Sequence, residues 1–361
     1  MASVHELTNE QGLRDYLNTN RSGISNVQLL SGGTANYVYR ATRHDGSESI
    51  FKHAAPYLHI NKSFAFDPTR MDYEAQVLGN LSSSASPLPA SLTCPNVHAV
   101  RLLSYDKEPK LLEIEDGGSR NLKDAYTDTT LAMPRIGEEL ATWLAVLHTC
   151  SQKMPLALPG QTTNNNPIAV NIYRHSYKNL HVALSQFGHD PQLAHQTNEE
   201  FGSLLETDDE CICHGDFWPG NVLVRPKENG SADLTIVDWE MVRRGTSATD
   251  VGQFAAEAFL LDRFRGGRGL LAAFLTSYIA ARGDANVLGK TWLRRMAVHW
   301  AVHVAFWPTR VEWSDSEGTK QLVDIGVGVL ESVVSGDWDK VMESSLLREV
   351  KDVYGPVLSK P

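Results

Sequence analysis

Cysteine is scarce. The 361 residues contain four, at Cys94, Cys150, Cys211 and Cys213, too few and too scattered for a disulfide framework. Cys211 and Cys213 form a C-x-C, but no further cysteine or histidine pair follows at a zinc spacing, so packing within a strand is expected. No apolar run approaches the roughly 20 residues that span a bilayer. Met1 to Arg14 carries charges early and lacks the apolar stretch of a secretory signal. These absences point to a cytoplasmic chain with reduced thiols and no membrane partner. Basic residues are also in the minority, 33 against 43 acidic, for a net charge of −10. That balance excludes a broad electrostatic hold on nucleic acid and leaves room only for a small basic pocket, such as one for a nucleotide. Internal repeats, heptads and long charge runs are missing.

Hydrophobic residues make up 42% and charged residues 21%, the balance of a folded globular chain. At roughly 150 residues per domain, the length implies two domains or one fold in two lobes. The first third reads as β-rich. Val27 to Leu30 precedes Ser31-Gly32-Gly33-Thr34, and Tyr37 to Arg43 alternates toward a turn at Asp45-Gly46 before Ser49 to Ala54. Asp67-Pro68 announces a helix through Met71, Glu74, Val77 and Leu81. A Ser/Pro-rich stretch, Ser82 to Pro95, reads as a surface loop. Strands are expected again at Val97–Leu103 and Lys110–Ile114, with an inter-lobe hinge at Glu115 to Gly117.

Beyond residue 119 the period becomes helical. Ile136, Leu140, Trp143, Leu144 and Leu147 make one apolar face, and helical patterns return at 174–187, 192–206, 249–263, 268–281, 286–306 and 318–335. One β-rich insert, Glu210 to Val237, interrupts them. The expected architecture is α+β and bilobal, a β-rich lobe over 1–117 and a mainly helical lobe over 118–361.

The insert carries the densest chemistry, His214-Gly215-Asp216-Phe217-Trp218-Pro219-Gly220-Asn221, followed by Val237-Asp238-Trp239-Glu240. Flanking strands should gather Asp216, Asn221 and Asp238 at one end of a hairpin, an oxygen-rich set suited to a hard cation such as Mg²⁺. The bland alternative is a turn at His-Gly-Asp and a helix cap at Asp238. Lys52, mid-strand, is either a solvated edge residue or a phosphate ligand, and Gly32-Gly33 is either an ordinary turn or a loop whose amides approach a polyphosphate.

Taken together these motifs resemble the aminoglycoside phosphotransferase and choline kinase family of small-molecule kinases, over roughly residues 25 to 335. The resemblance implies a protein-kinase-like fold and ATP with Mg²⁺. It casts Asp216 as the catalytic base, Asn221 and Asp238 as metal ligands, and His214 as a residue that orders the loop. Ser31, Gly32, Gly33 and Thr34 would cover the phosphates. Lys52 would hold the α- and β-phosphates, paired with Glu74 rather than Asp72, because residues two apart on a helix face different ways. The backbone of Glu115 to Gly117 would meet the adenine edge, and His148 would be structural.

Glu240, in a D-x-E with Asp238, is either a further contributor to the metal shell or an ordinary surface glutamate. Leu30-Ser31-Gly32-Gly33, Phe51-Lys52-His53-Ala54 and Val237-Asp238-Trp239-Glu240 look most like the methylthioribose-kinase-like branch, which includes the fungal 4-hydroxytryptamine kinase. Two departures argue against methylthioribose as the acceptor. Asn221 stands where that branch has serine, and Arg243-Arg244 and Arg294-Arg295 lie at other spacings than its late arginine pair. The expected partner is a small hydroxylated metabolite, an amine or a sugar, contacted by Trp239, Trp300, His303 and Trp307. A protein kinase is the weaker alternative, since His-Arg-Asp, Asp-Phe-Gly and Ala-Pro-Glu are absent. The other is a nucleotide-binding protein without catalysis, which has no need of a base at Asp216.

Overall fold

The computed structural model describes residues 6–21, 23–30, 34–82, 94–228, 231–283 and 286–360. Ser31, Gly32 and Gly33, and most of the Ser/Pro-rich stretch, lie outside them. The chain opens with α1 (Glu10–Asn20), capped by Asn9, whose side-chain oxygen accepts from the Gly12 amide at 2.8 Å. Strands β1 (Ile24–Leu29), β2 (Tyr37–Arg43) and β3 (Glu48–His53) follow. Gly46, at φ +83°, supplies the left-handed residue that the β2–β3 turn needs. A short hairpin, β4 (Tyr57–Leu58) and β5 (Asn61–Ala65), precedes α2 (Arg70–Ser82). The next strands are β6 (Val97–Ala99), β7 (Leu102–Asp106) and β8 (Leu111–Glu115).

The main sheet is five-stranded and antiparallel, ordered β1-β2-β3-β8-β7. The expected single strand over Val97–Leu103 is corrected: it breaks at Val100-Arg101 because the backbone changes partners. Val100 donates its amide to Ile236 at 2.9 Å, whereas the Arg101 carbonyl accepts from Glu115 at 3.0 Å.

The C-terminal part begins with α3 (Leu122–Ala125) and α4 (Met133–Cys150), followed by α5 (Pro167–Tyr173), α6 (His175–Gln186) and α7 (Pro191–Thr197). A π turn and a 3₁₀ turn continue α7 to Glu206, where one helix to 206 was expected. The insert forms β9 (Cys211–Cys213), β10 (Val222–Pro226), β11 (Ala232–Ile236) and β12 (Arg243–Gly245). Helices α8 (Ser247–Phe264), α9 (Leu270–Arg282), α10 (Lys290–Phe306), α11 (Ser316–Ser335), α12 (Trp338–Met342) and α13 (Lys351–Leu358) complete the chain. Among the described residues no helix is long and apolar enough to cross a membrane. The fold is therefore α+β, an antiparallel sheet followed by a helical part.

One buried cluster runs from Ile50 and Leu112 in the sheet, through α2 and α4, to α8, α10 and Tyr354. The predicted apolar face of α4 is at its centre, with Ile136, Leu140, Trp143, Leu144 and Leu147 all buried. Strand β6 pairs in parallel with β11, so residues 1–117 and 118–361 share a sheet as well as a core. Cys211 and Cys213 are buried on β9, paired to β12, and their sulfurs lie against the Gly245 and Thr246 carbonyls. Both thiols are packed within a strand as expected, and a His148 nitrogen lies within 4.8 Å of them.

Because Leu144 is fully buried where α4 meets the rest of the core, Leu144→Ala should destabilise the fold by about 3 kcal/mol. The loss should read as a lower denaturant midpoint at an unchanged slope.

Candidate active site

The His214 to Asn221 loop hangs between β9 and β10, and a buried carboxylate fixes its backbone. Asp250, in the first turn of α8, accepts from the His214 amide at 2.7 Å and the Gly215 amide at 3.1 Å. Burial alone would raise its pKa. The hydrogen bond from His148 and the charges of His148 and Arg243 outweigh burial and hold the carboxyl below its ordinary range. His148 is fully buried between Asp250 (3.2 Å) and the Tyr278 hydroxyl (2.9 Å). Gly215 has φ +80°, and a Cβ there would stand 1.8 Å from the Met241 carbonyl oxygen, so glycine alone fits. His214 fixes the tip of the loop. Its Nε2 meets the Val237 carbonyl at 3.0 Å, and its Nδ1 accepts from the Asp216 amide at 3.2 Å.

The Asp216 carboxylate accepts from Gln253 Nε2 at 2.7 Å through one oxygen and from Asn221 Nδ2 at 2.9 Å through the other. Burial, then the nearby Asp238 charge, push its pKa up to about 7, against the lowering effect of those hydrogen bonds. Asn221 closes a 3₁₀ turn, and its carbonyl accepts from the Val237 amide at 3.0 Å, which ties the loop to the chain entering Asp238. Asp238 has φ +66°, a left-handed conformation outside glycine that aspartate tolerates better than most residues. Sites of function are where such strain is usually held.

Across the cleft, Lys52 on β3 bonds Glu74 of α2 at 2.8 Å and also contacts Asp238. Burial works against its charge, but Asp238 and Glu74 more than compensate and keep the ammonium protonated. The same ammonium holds the Asp238 carboxyl below its ordinary range despite burial. Glu74 also accepts from the Trp239 amide at 3.2 Å. Asp72 faces elsewhere, bonding Lys110 at 2.7 Å and Tyr105.

Glu240 is buried, which removes the surface-glutamate alternative. Its carboxylate accepts from Arg70 Nε at 2.9 Å and Asn36 Nδ2 at 2.8 Å, and Arg70 bonds Asn36 in turn at 2.9 Å. Carboxylate oxygens of Glu74, Asp238 and Glu240 lie within 4.8 Å of one another. Thr34 is exposed, and its carbonyl accepts from Ile60 at 3.2 Å. In the crossing segment the Glu115 amide is already bonded to Arg101 at 3.0 Å and is not available to a base. Gly117 is pressed on the C-terminal strands, since a Cβ there would lie 2.9 Å from Leu223.

Two expected acceptor contacts are corrected. Trp239 is fully buried; its indole N–H donates to Ile236 at 3.0 Å, and its ring packs on His214 and Trp143. Trp300 is also fully buried, against Phe259. Helix α10 is enclosed on nearly every face, so an aromatic stripe on it meets other helices instead of a cleft. His303 is buried and bonded to Glu257 at 2.8 Å, while Trp307 leaves the helix in a 3₁₀ turn and is 36% exposed. Three of the four doublet arginines are ion-paired, Arg244 with Asp209, Arg294 with Glu200 and Arg295 with Asp208, whereas Arg243 is buried over the Tyr173 ring, bonds Thr249 and leaves Nε and one terminal nitrogen without a partner.

Sequence reasoning missed Asp250, Gln253, Arg70, Asn36 and the network beneath Asp216. In that network the Tyr173 hydroxyl reaches Gln253 (3.2 Å) and His299 Nε2 (2.9 Å), and His299 Nδ1 meets Tyr177 at 3.0 Å. Burial, then the charges of His303 and Arg243, hold the His299 pKa well below its ordinary value. The imidazole is therefore neutral when folded and binds a proton only on unfolding. Stability from this group is complete above about pH 6.5 and is lost as pH falls below it, at up to about 1.4 kcal/mol per pH unit. Denaturation of His299→Gln between pH 7 and 5 should show a flatter pH dependence than the parent chain.

Comparison with known proteins places the chain in a family. A sequence profile of the phosphotransferase enzyme family matches residues 26–295. The 4-hydroxytryptamine kinase of Psilocybe cyanescens is 26% identical, aligned over 95% of this chain and 98% of its own length. Its namesake in Psilocybe cubensis is 24% identical over 95% and 98%. The solved ethanolamine kinase of Plasmodium vivax superposes with a TM-score of 0.49 at 13% identity, covering 90% of this chain and 89% of that one. With the profile spanning both the Lys52–Glu74 pair and the Asp216 loop, the chain belongs to the phosphotransferase enzyme family.

Proposed function

We propose that the protein transfers the γ-phosphate of ATP to a hydroxyl of a small metabolite, with Asp216 as the base. The observation that carries this reading is the Asp216 carboxylate, held from both sides by Gln253 and Asn221 beside the Lys52–Asp238 pair. A carboxyl pushed up to about 7 is poised to exchange a proton near neutral pH. In this reading the acceptor hydroxyl donates to Asp216 and gives up its proton late, as its oxygen bonds the transferring phosphorus and the bond to the ADP oxygen breaks.

Lys52, oriented by Glu74, would take the α- and β-phosphates, and Thr34 with Ser31, Gly32 and Gly33 would close over them. The carbonyl of Glu115 and the amide of Gly117 are the groups proposed for the adenine edge. The donors present suit Mg²⁺. Asn221 has turned its amide nitrogen to Asp216, and its side-chain oxygen accepts no hydrogen bond among the described residues. Asp238 is partly buried, and its carboxylate keeps some exposure. Asn221 and Asp238 would hold the ion, with Glu240 next to them restrained by Arg70, and a bound ion would neutralise phosphate charge. The names of the Psilocybe relatives support a hydroxylated amine as the acceptor. Thiols free of disulfides fit a cytoplasmic setting.

Asp216→Asn should lower phosphoryl transfer by about 10²- to 10⁴-fold, yet keep the thermal stabilisation given by Mg-ATP. Transfer close to the parent rate would falsify the role of Asp216. Lys52→Met should instead weaken that nucleotide-dependent stabilisation.

A further inference from the structure

Four side chains from four helices stand in line behind Asp216. Gln253 comes from α8, Tyr173 from α5, His299 from α10 and Tyr177 from α6. Gln253, His299 and Tyr177 are buried, so their polar atoms must find partners inside the protein. That requirement fixes which way the protons point.

The assignment starts at Asp216. Gln253 places Nε2 2.7 Å from its carboxylate; turned over, the amide would set its oxygen against an ionised carboxylate. Gln253 Oε1 therefore faces Tyr173, whose hydroxyl at 3.2 Å is its donor and the only one among the described residues. The Thr249 carbonyl is also 3.2 Å from that hydroxyl, but it lies in the first turn of α8, where the helix supplies a donor of its own. With its proton directed to Gln253, the Tyr173 oxygen accepts from His299 Nε2 at 2.9 Å. A neutral imidazole carries one N–H, so Nδ1 accepts, and its donor is the Tyr177 hydroxyl at 3.0 Å. The reverse direction strands two buried groups, since among the described residues Gln253 Oε1 would have no donor and the Tyr177 hydroxyl no acceptor.

Tyr173 has little freedom to leave this line. The Arg243 guanidinium lies 4.0 Å from the centre of its ring and is itself bonded to Thr249 at 2.7 Å, while the His299 ring lies within 11° of the same plane. Bonds that all point one way along a chain polarise and strengthen one another. Tying four helices together accounts for the contacts, but not for a chain that ends on the loop carboxylate.

We infer that a hydrogen-bond chain directed from Tyr177 through His299 and Tyr173 to Gln253 holds the Asp216 carboxylate in place for transfer, which makes Tyr173 and His299 positioning residues. This rests on Asp216 acting as the base.

Two measurements on the full chain test it. In ¹⁵N spectra of histidine-labelled protein near neutral pH, the His299 signals, identified by their loss in His299→Gln, should show the proton on Nε2. A proton on Nδ1 would overturn the inference. The second measurement is phosphoryl transfer from Mg-ATP to the best acceptor in a panel of hydroxylated amines and sugars. Tyr173→Phe keeps the ring and removes the link, so kcat should fall about tenfold while the acceptor KM stays within about twofold. Gln253→Leu should lower kcat at least as far, and adding Tyr173→Phe to it should change kcat by less than about twofold, because the hydroxyl acts only through Gln253. Losses that multiply in the double variant, or a kcat for Tyr173→Phe within about twofold of the parent, would overturn the inference. Should Gln253→Leu not fold, Gln253→Met closes the cycle. Transfer near the parent rate by Asp216→Asn would remove the base, and no transfer by the parent to any acceptor would remove the phosphotransferase reading; either takes the inference with it. A crippled Asp216→Asn beside an unimpaired Tyr173→Phe overturns the inference alone.

Discussion

One ammonium draws together charges from both halves of this molecule. Lys52 comes from the centre of the N-terminal sheet, Glu74 from the helix packed beneath it, and Asp238 from the C-terminal insert. Burying one positive charge against two negative ones leaves a net negative site. The neighbouring Arg70–Glu240 pair adds no further net charge. The cluster is therefore both an interlobar fastening and a place of concentrated charge, and neither lobe holds it alone.

The second organising group is Asp250. By accepting both amides at the start of the loop, it converts a flexible His-Gly-Asp turn into a fixed mount for Asp216. Its own position is set by His148 and Tyr278 on α4 and α9. A core of helices thus determines where a loop carboxylate points, and the pKa of that carboxylate follows from the enclosure and from Asp238.

How much of this was legible depended on how far apart the partners lie. The His214 to Asn221 string was readable because its parts are adjacent. Lys52 was readable because it interrupts an apolar alternation, and α4 because five apolar residues recur at helical spacing. Asn36 and Glu240 are 204 residues apart, and Asp250 lies 36 from the amide it accepts; no local pattern relates such positions. The β4–β5 hairpin was invisible because the second strand is short and exposed along its whole length. Trp239 and Trp300 were misread for a related reason: periodicity says which residues share a face, not whether that face meets a cleft or another helix.

Strand β6 has an effect on the architecture beyond its three residues. Because it pairs with β11 while the next strand, β7, serves the main sheet, a cut between residues 100 and 231 separates β6 from its partner. Each product would expose an orphaned strand edge. Wide separation of the halves would strip the same hydrogen bonds, so this short pairing ties them together.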